Sequence, residues 1–228
     1  MLNDIRLLKW LYKRANNINA QIFINIIENK DSDINIEKHH QVYPYMLFSE
    51  EISNRDVIKE LKKILATELN STNESHLYLR NKLDLTLDDF EVHIDKIHES
   101  ITLEMLNKDI NIEYLYDLLF LVEFKEITES EKNILANVIP SLIVNNCIEY
   151  NFIEASILVH IAEHICSYIP NEFWKNTRDF FENHQRFDGS FGYFNPFLNK
   201  HFLTENENII RSYYCYKVIK TIDKIQRK

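Results

Sequence analysis

The sequence predicts an all-α protein built of antiparallel αα-hairpins, and three observations point there. Apolar residues recur at helical i, i+3, i+4 spacing almost from end to end. No segment sustains period-two alternation, and no Asn-Gly hairpin turn occurs. Glycine appears only twice in 228 residues, at Gly189 and Gly192, where average usage of about 7% gives roughly 16. The stretches between periodic segments are short, which makes consecutive helices antiparallel neighbours.

In chain order, the spacing predicts helices over 2–16, 19–29, 40–48, 54–69, 74–82, 87–107, 111–125, 129–147, 152–168, 171–185 and 206–226. In 54–69 the apolar stripe runs through Val57, Ile58, Leu61, Ile64, Leu65 and Leu69, with Lys59, Glu60, Lys62 and Lys63 opposite. In 111–125 it is Ile112, Leu115, Leu118, Leu119 and Val122. Thr128 with Glu131, and Thr86 with Asp89, read as N-caps with an acid near N3. Asn171 opens a helix after Pro170. With no glycine placed for a left-handed C-cap, asparagine is the next choice, and Asn16, Asn70 and Asn145 or Asn146 sit where one is needed. The 152–168 segment is apolar nearly all round, as a central helix is. Residues 30–37 and 189–205 read as irregular. No low-complexity linker interrupts the chain, so 1–228 reads as a single domain. No convincing repeat occurs at the periods of common helical solenoids.

Composition removes whole chemistries. A P-loop, a GxGxxG turn and a GxSxG elbow each need glycines that this chain cannot supply. Lys plus Arg is 26 and Asp plus Glu is 35, a net charge of −9. Without a basic stripe, that balance argues against nucleic acid as a partner. The uncharged run 133–148 contains Pro140 and four asparagines, too short and polar for a membrane span. Asp4, Arg6 and Lys9 break up any signal-peptide apolar region. Cys147, Cys166 and Cys215 are odd in number and lie in apolar helical contexts, as thiols in a reducing cytoplasm do. The abundance of Ile, Asn and Lys reads as a low-GC bacterial coding bias.

Both glycines fall in one motif: Gln185-Arg186-Phe187-Asp188-Gly189-Ser190-Phe191-Gly192-Tyr193, between a helix and a Tyr-rich helix. Gly189 supplies the positive φ needed to leave a helix, and Gly192 allows close backbone approach. Gln185 and Asp188 can bond backbone groups left open at the turn, while Phe191 and Tyr193 plug the gap between hairpins. This arrangement resembles the repeat of the α/α toroid proteins, the terpenoid cyclases and protein prenyltransferase β-subunits, whose repeats carry Gln-x-x-Asp-Gly-x-Phe/Trp-Gly between two helices. The resemblance covers about 172–222 and implies a partial α/α toroid, with the last helix on its inner ring. Arg211, Tyr213, Tyr214 and Tyr193 are then candidate substrate-binding residues, and Asp188 a candidate catalytic one. The family's catalytic motifs are not matched. Asp84 and Asp88-Asp89 have the wrong spacing for either acidic motif, and Cys215 follows Tyr213-Tyr214 instead of the Asp-x of a zinc ligand pair.

A different chemistry is suggested by His160-Ile-Ala-Glu163-His164, literally the H-x-x-E-H zinc pattern. One helical turn apart, His160 and His164 can share a metal, with Glu163 as base and Glu205 or Glu207 as a third ligand from a loop. Histidines on so apolar a helix also read as hydrogen-bonded core residues, and no metal or other cofactor is favoured over that reading. His93, Asp95, His98 and Glu99 read as a solvated face, and His39-His40 with Tyr43, Tyr45 and Phe48 as an aromatic helix docking on its neighbour.

The sequence thus points to an acidic bacterial cytoplasmic binding or accessory protein with a concave apolar and aromatic pocket. Its partner is expected to be a peptide, a small apolar molecule or another protein, in peptide or natural-product biosynthesis. The alternatives are a toroid-class enzyme on an apolar or peptide substrate, and a zinc hydrolase using His160, Glu163 and His164.

Overall fold

The computed structural model describes residues 2–28, 101–102, 106, 112–124, 127–192 and 204–227. These form α1 (Leu2–Tyr12), α2 (Ile18–Glu28), α3 (Ile112–Phe124), α4 (Glu129–Ile148), α5 (Phe152–Glu163), α6 (Asn171–Asn183) and α7 (Glu205–Ile225). A 3-10 turn, Cys166–Tyr168, follows α5. The protein is all-α, with a single isolated bridge between Gln185 and Phe191 among the described residues. Helices expected at 40–48, 54–69, 74–82 and most of 87–107 lie outside those residues. So do Thr86, the acids at 84–89, and the histidines at 39, 40, 93 and 98. Ile101 and Thr102 are not helical.

The chain divides into two compact units, 1–7 with 94–228 and 8–93. In the second, the described part is the α1 end and α2. There the Tyr12 hydroxyl donates to the Glu28 carboxylate at 2.7 Å, and Arg14 lies over the Trp10 ring with Cζ 4.2 Å from its centroid. The expected 2–16 helix stops at Tyr12 because residues 13–16 turn, and the Asn17 side chain takes the Asn19 N–H at 3.0 Å as α2 begins.

In the larger unit α5 is the central rod. It packs on α3, α4 and α7, and α7 packs in turn on α6. Phe152, Ala155, Ile157, Leu158, Val159, Ile161 and Ala162 are all buried, because a helix with neighbours on several sides has no face left for polar residues. The α7 stripe of Ile210, Tyr214, Val218, Ile222 and Ile225 is buried as well. Ion pairs fasten the outside of this core: Arg178 to Asp223 at 2.7 Å, Lys224 to Glu163 at 2.8 Å, and Lys220 to Asp4 at 2.7 Å. No described helix is long and apolar enough to cross a membrane.

The helix ends explain how the chain manages with two glycines. Thr128 and Glu131 form the expected capping box on α4, and Thr204 with Glu207 forms a second on α7. Glu131 goes further: one carboxylate oxygen closes the box while the other accepts the Ile101 N–H at 2.9 Å. At the other end of α4 the expected asparagine stop gives way to a different residue. The helix runs past Asn145 and Asn146, and Tyr150 takes the left-handed conformation with φ 61°. Asn151 N–H bonds Asn146 C=O at 2.9 Å and Tyr150 N–H bonds Cys147 C=O at 3.2 Å, the paired bonds of a Schellman stop. A tyrosine stands there at a cost of about 1–2 kcal/mol relative to an unstrained backbone. Pro170 is the N-cap of α6, and Asn171 opens the helix as its first helical residue, as expected.

Candidate functional site

The segment between α6 and α7 takes the tight form that its two glycines allow. Gly189 has φ 103° and Gly192 φ 135°. The loop is closed by Arg186 N–H to Ser190 C=O at 2.8 Å, Gly189 N–H to Arg186 C=O at 3.0 Å and Gly192 N–H to His184 C=O at 3.1 Å. The Gln185 side chain donates to the Gly189 carbonyl at 3.2 Å, and Asp188 accepts the Ser190 N–H at 3.0 Å and hydroxyl at 2.7 Å. Both side chains thus serve the turn's own backbone, the role their residue types predict. Phe191 is fully buried, and its N–H donates to Ser212 on α7 at 3.0 Å. The turn is thereby stitched to the helix beside it.

The outer face of this turn, from Asn183 to Asp188 with Gly192, lines a groove of about 670 Å³. At its lip Phe187 is fully exposed. Beside it runs an aromatic row. The His184 ring lies 4.2 Å from the Phe180 centroid, 5.6 Å from Phe152 and 5.6 Å from Tyr150. His184 Nδ1 is 2.7 Å from the Phe180 carbonyl, which fixes the ring plane.

Beneath the turn lies Arg211, on the first turns of α7. Its Cζ and Nη2 sit 2.6 Å from where a Cβ on Gly192 would be. Nη2 donates to Asn208 Oδ1 at 2.7 Å, and Cζ is 5.9 Å from the centroid of the Phe152 ring. Nε is buried without a hydrogen-bond partner among the described residues. Burial lowers the pKa of this guanidinium, and the nearby Arg186 charge pushes the same way.

The remaining candidates are dispersed. Tyr213 and Tyr214 are buried in the core, with the Tyr213 ring 6.2 Å from Tyr216, so they pack instead of lining the groove. Tyr193 lies outside the described residues. His160 is half-buried on α5, whereas His164 is the exposed C-cap of that helix. Glu163 is engaged by Lys224 at 2.8 Å. Glu205 and Glu207 belong to the first turn of α7 and not to a loop, and Glu207 accepts the Thr204 N–H and hydroxyl. No group of three or more His, Cys, Asp or Glu able to hold a metal occurs among the described residues.

Sequence reasoning selected Arg211 and Asp188 but missed Arg186, His184, Phe152 and Asn208. Two of these had a local signal: His184 follows Phe180 by four residues and Asn208 precedes Arg211 by three, so each pair shares a helix face. Phe152 had none, because it reaches the site from another helix. Compared with family models, with curated proteins and with solved structures, the chain matches none.

Proposed function

We propose that this protein is a binding or accessory protein whose working surface is the groove along the α6–α7 turn. A single observation carries the reading: a rigid, hydrogen-bonded turn holds Phe187 fully in solvent at the mouth of a 670 Å³ groove, next to the Tyr150–His184–Phe180 row. An aromatic ring held in water gains free energy only when something covers it. The groove volume is in the range that takes a drug-sized molecule or a few residues of a peptide. The turn's resemblance to the α/α toroid repeat supports a hairpin array with a concave side, and peptide or apolar natural-product chemistry as its setting. Three unpaired cysteines fit a reducing compartment such as a bacterial cytoplasm.

The test is an NMR screen of ¹⁵N-labelled protein against short peptides and apolar fragments. Hits are expected to shift the amides of 183–192 and to weaken several-fold in Phe187→Ser while the melting temperature stays unchanged. Hits that cluster elsewhere, or that bind Phe187→Ser equally well, overturn the reading.

A further inference from the structure

Resting on that groove reading, we propose that the groove's partner is a second copy of this chain. Two molecules meet about a two-fold axis, and Phe187 of each enters the groove of the other. The exposed apolar surface gathers at this place. Phe187 is fully in solvent, and Tyr150 is 41% exposed with its ring against His184. Ile148 and Val144, on the last turns of α4, are 67% and 45% exposed. These are four of the eight large apolar side chains left exposed among the described residues. A fully exposed phenylalanine offers about 200 Å², so the four together offer roughly 400–500 Å². Covered on both copies and framed by a polar rim, that reaches the total of about 1,000 Å² that a specific interface needs. The size belongs to the weak end of that class, so a dimer constant on the order of 10 μM is expected.

The outer face of α4 suits the same contact. It presents Asn133, Asn137, Ser141, Val144, Asn145 and Ile148 to solvent, and no charged residue occurs from 133 to 148. The chain is 27% charged, which gives about four charges in such a stretch, and an outer helix face ordinarily holds more than its share. Depletion of charge is the compositional mark of an interface centre. The turn is self-complementary as well. Its exposed ring stands beside its own groove, so knob and socket share one patch, the condition for a closed two-fold contact. Arg186 and Asp188 flank Phe187 in sequence. About an axis beside Phe187, Arg186 of one copy comes opposite Asp188 of the other on both sides. Each keeps its contacts within its own chain, Asp188 still accepting from Ser190. Such rim charges orient the copies, while burial of the apolar side chains holds them. A small ligand in the groove leaves Val144 and Ile148 in water, whereas a second copy covers them together with Phe187.

Sedimentation velocity from micromolar to millimolar concentration tests this. Wild type is expected to pass from monomer to dimer over that range. Phe187→Ser and Ile148→Asn are each expected to weaken the dimer at least about tenfold, a gap of about 1.4 kcal/mol, because a two-fold contact feels every substitution twice. Ile5→Ser, at a half-exposed apolar residue on α1, is expected to change nothing. Melting temperatures are compared at concentrations below the dimer constant, where folding alone is read. Isotope-filtered NOEs between labelled and unlabelled wild-type copies are expected from the Phe187 ring to His184 and Gly192, and they need no variant. A wild type that stays monomeric to millimolar concentration overturns the dimer. Peptides or fragments that still shift 183–192 then leave the groove reading standing, and their absence removes both. A dimer indifferent to Phe187→Ser, weakened equally by Ile5→Ser, or lacking those NOEs also overturns the inference. Groove ligands are expected to drive the dimer apart, and hits at 183–192 that leave it intact count against it in the same way.

Discussion

The guanidinium of Arg211 occupies the room that a side chain at Gly192 would need, with Cζ and Nη2 2.6 Å from the Cβ position. Gly192→Ala therefore meets two penalties, a φ of 135° that an L-residue rarely adopts and a collision with a partly buried cation. We expect a loss of about 2–3 kcal/mol in urea unfolding. In a double-mutant cycle with Arg211→Ala, part of that loss is expected to return, because only the collision depends on Arg211. Strict additivity would show that the close approach is energetically idle.

Tyr150 offers a cleaner backbone test. At φ 61° it stands where glycine is the usual residue, and its ring is partly exposed against His184 and Phe152. Tyr150→Gly and Tyr150→Ala lose the same ring, but only glycine removes the left-handed cost. Glycine is expected to be the more stable of the two by about 1 kcal/mol. Equal melting temperatures would contradict a Schellman stop at this residue.

Glu131 joins two tasks in one buried carboxylate, closing the α4 cap and receiving the Ile101 N–H. Glu131→Ala abandons the cap and leaves a buried donor unmet, for an expected loss of about 2–3 kcal/mol by chemical denaturation. Glu131→Gln keeps an acceptor oxygen for one of the two tasks and should lose roughly half of that. A loss equal to that of an ordinary surface cap, about 1 kcal/mol, would argue that the Ile101 bond contributes nothing.

The thiols should separate by reactivity. Burial pushes Cys147 up to about 12 and drives Cys215 higher still, so neither is a thiolate at neutral pH. Cys166 is only half-buried. Brief alkylation of the native protein is expected to label Cys166 alone, and all three after unfolding. Early labelling of Cys215 would contradict a closed core around α7.

Acid should loosen α7 from its start. Hydrogen bonds from the Thr204 backbone, then its hydroxyl, hold the Glu207 carboxyl below its usual value. A lowered folded value means that the contribution is fully present above the unfolded value, about 4.3, and fades as pH falls through the folded one. Amide exchange at residues 205–208 is expected to quicken over that acid window in wild type. In Glu207→Gln the acid dependence should flatten.

The all-α class, the ends of most described helices and the Thr128–Glu131 cap were legible in the sequence, because each depends on neighbours within about one helical turn. The same holds for the Gln185–Gly192 turn, whose glycines, aspartate and glutamine act on their own backbone. Tyr150 escaped detection because nothing in its side chain advertises a left-handed backbone; the φ is imposed by where α4 must end for α5 to begin. Tyr213 and Tyr214, pocket candidates only by the toroid resemblance, are buried in the core, since a helical period shows which residues share a face but not how many faces are covered.

The chain's local chemistry determined that it would be helical, acidic, poor in glycine and cornered once between its last two helices. The packing of separate helices alone decided that Arg211 would lie under Gly192 and over Phe152, and that Glu163 would meet Lys224. The reason is physical. Caps and turns are settled by bonds between residues a few positions apart, whereas a site is settled by which side chains from distant segments are left facing one another once the apolar surfaces have been buried.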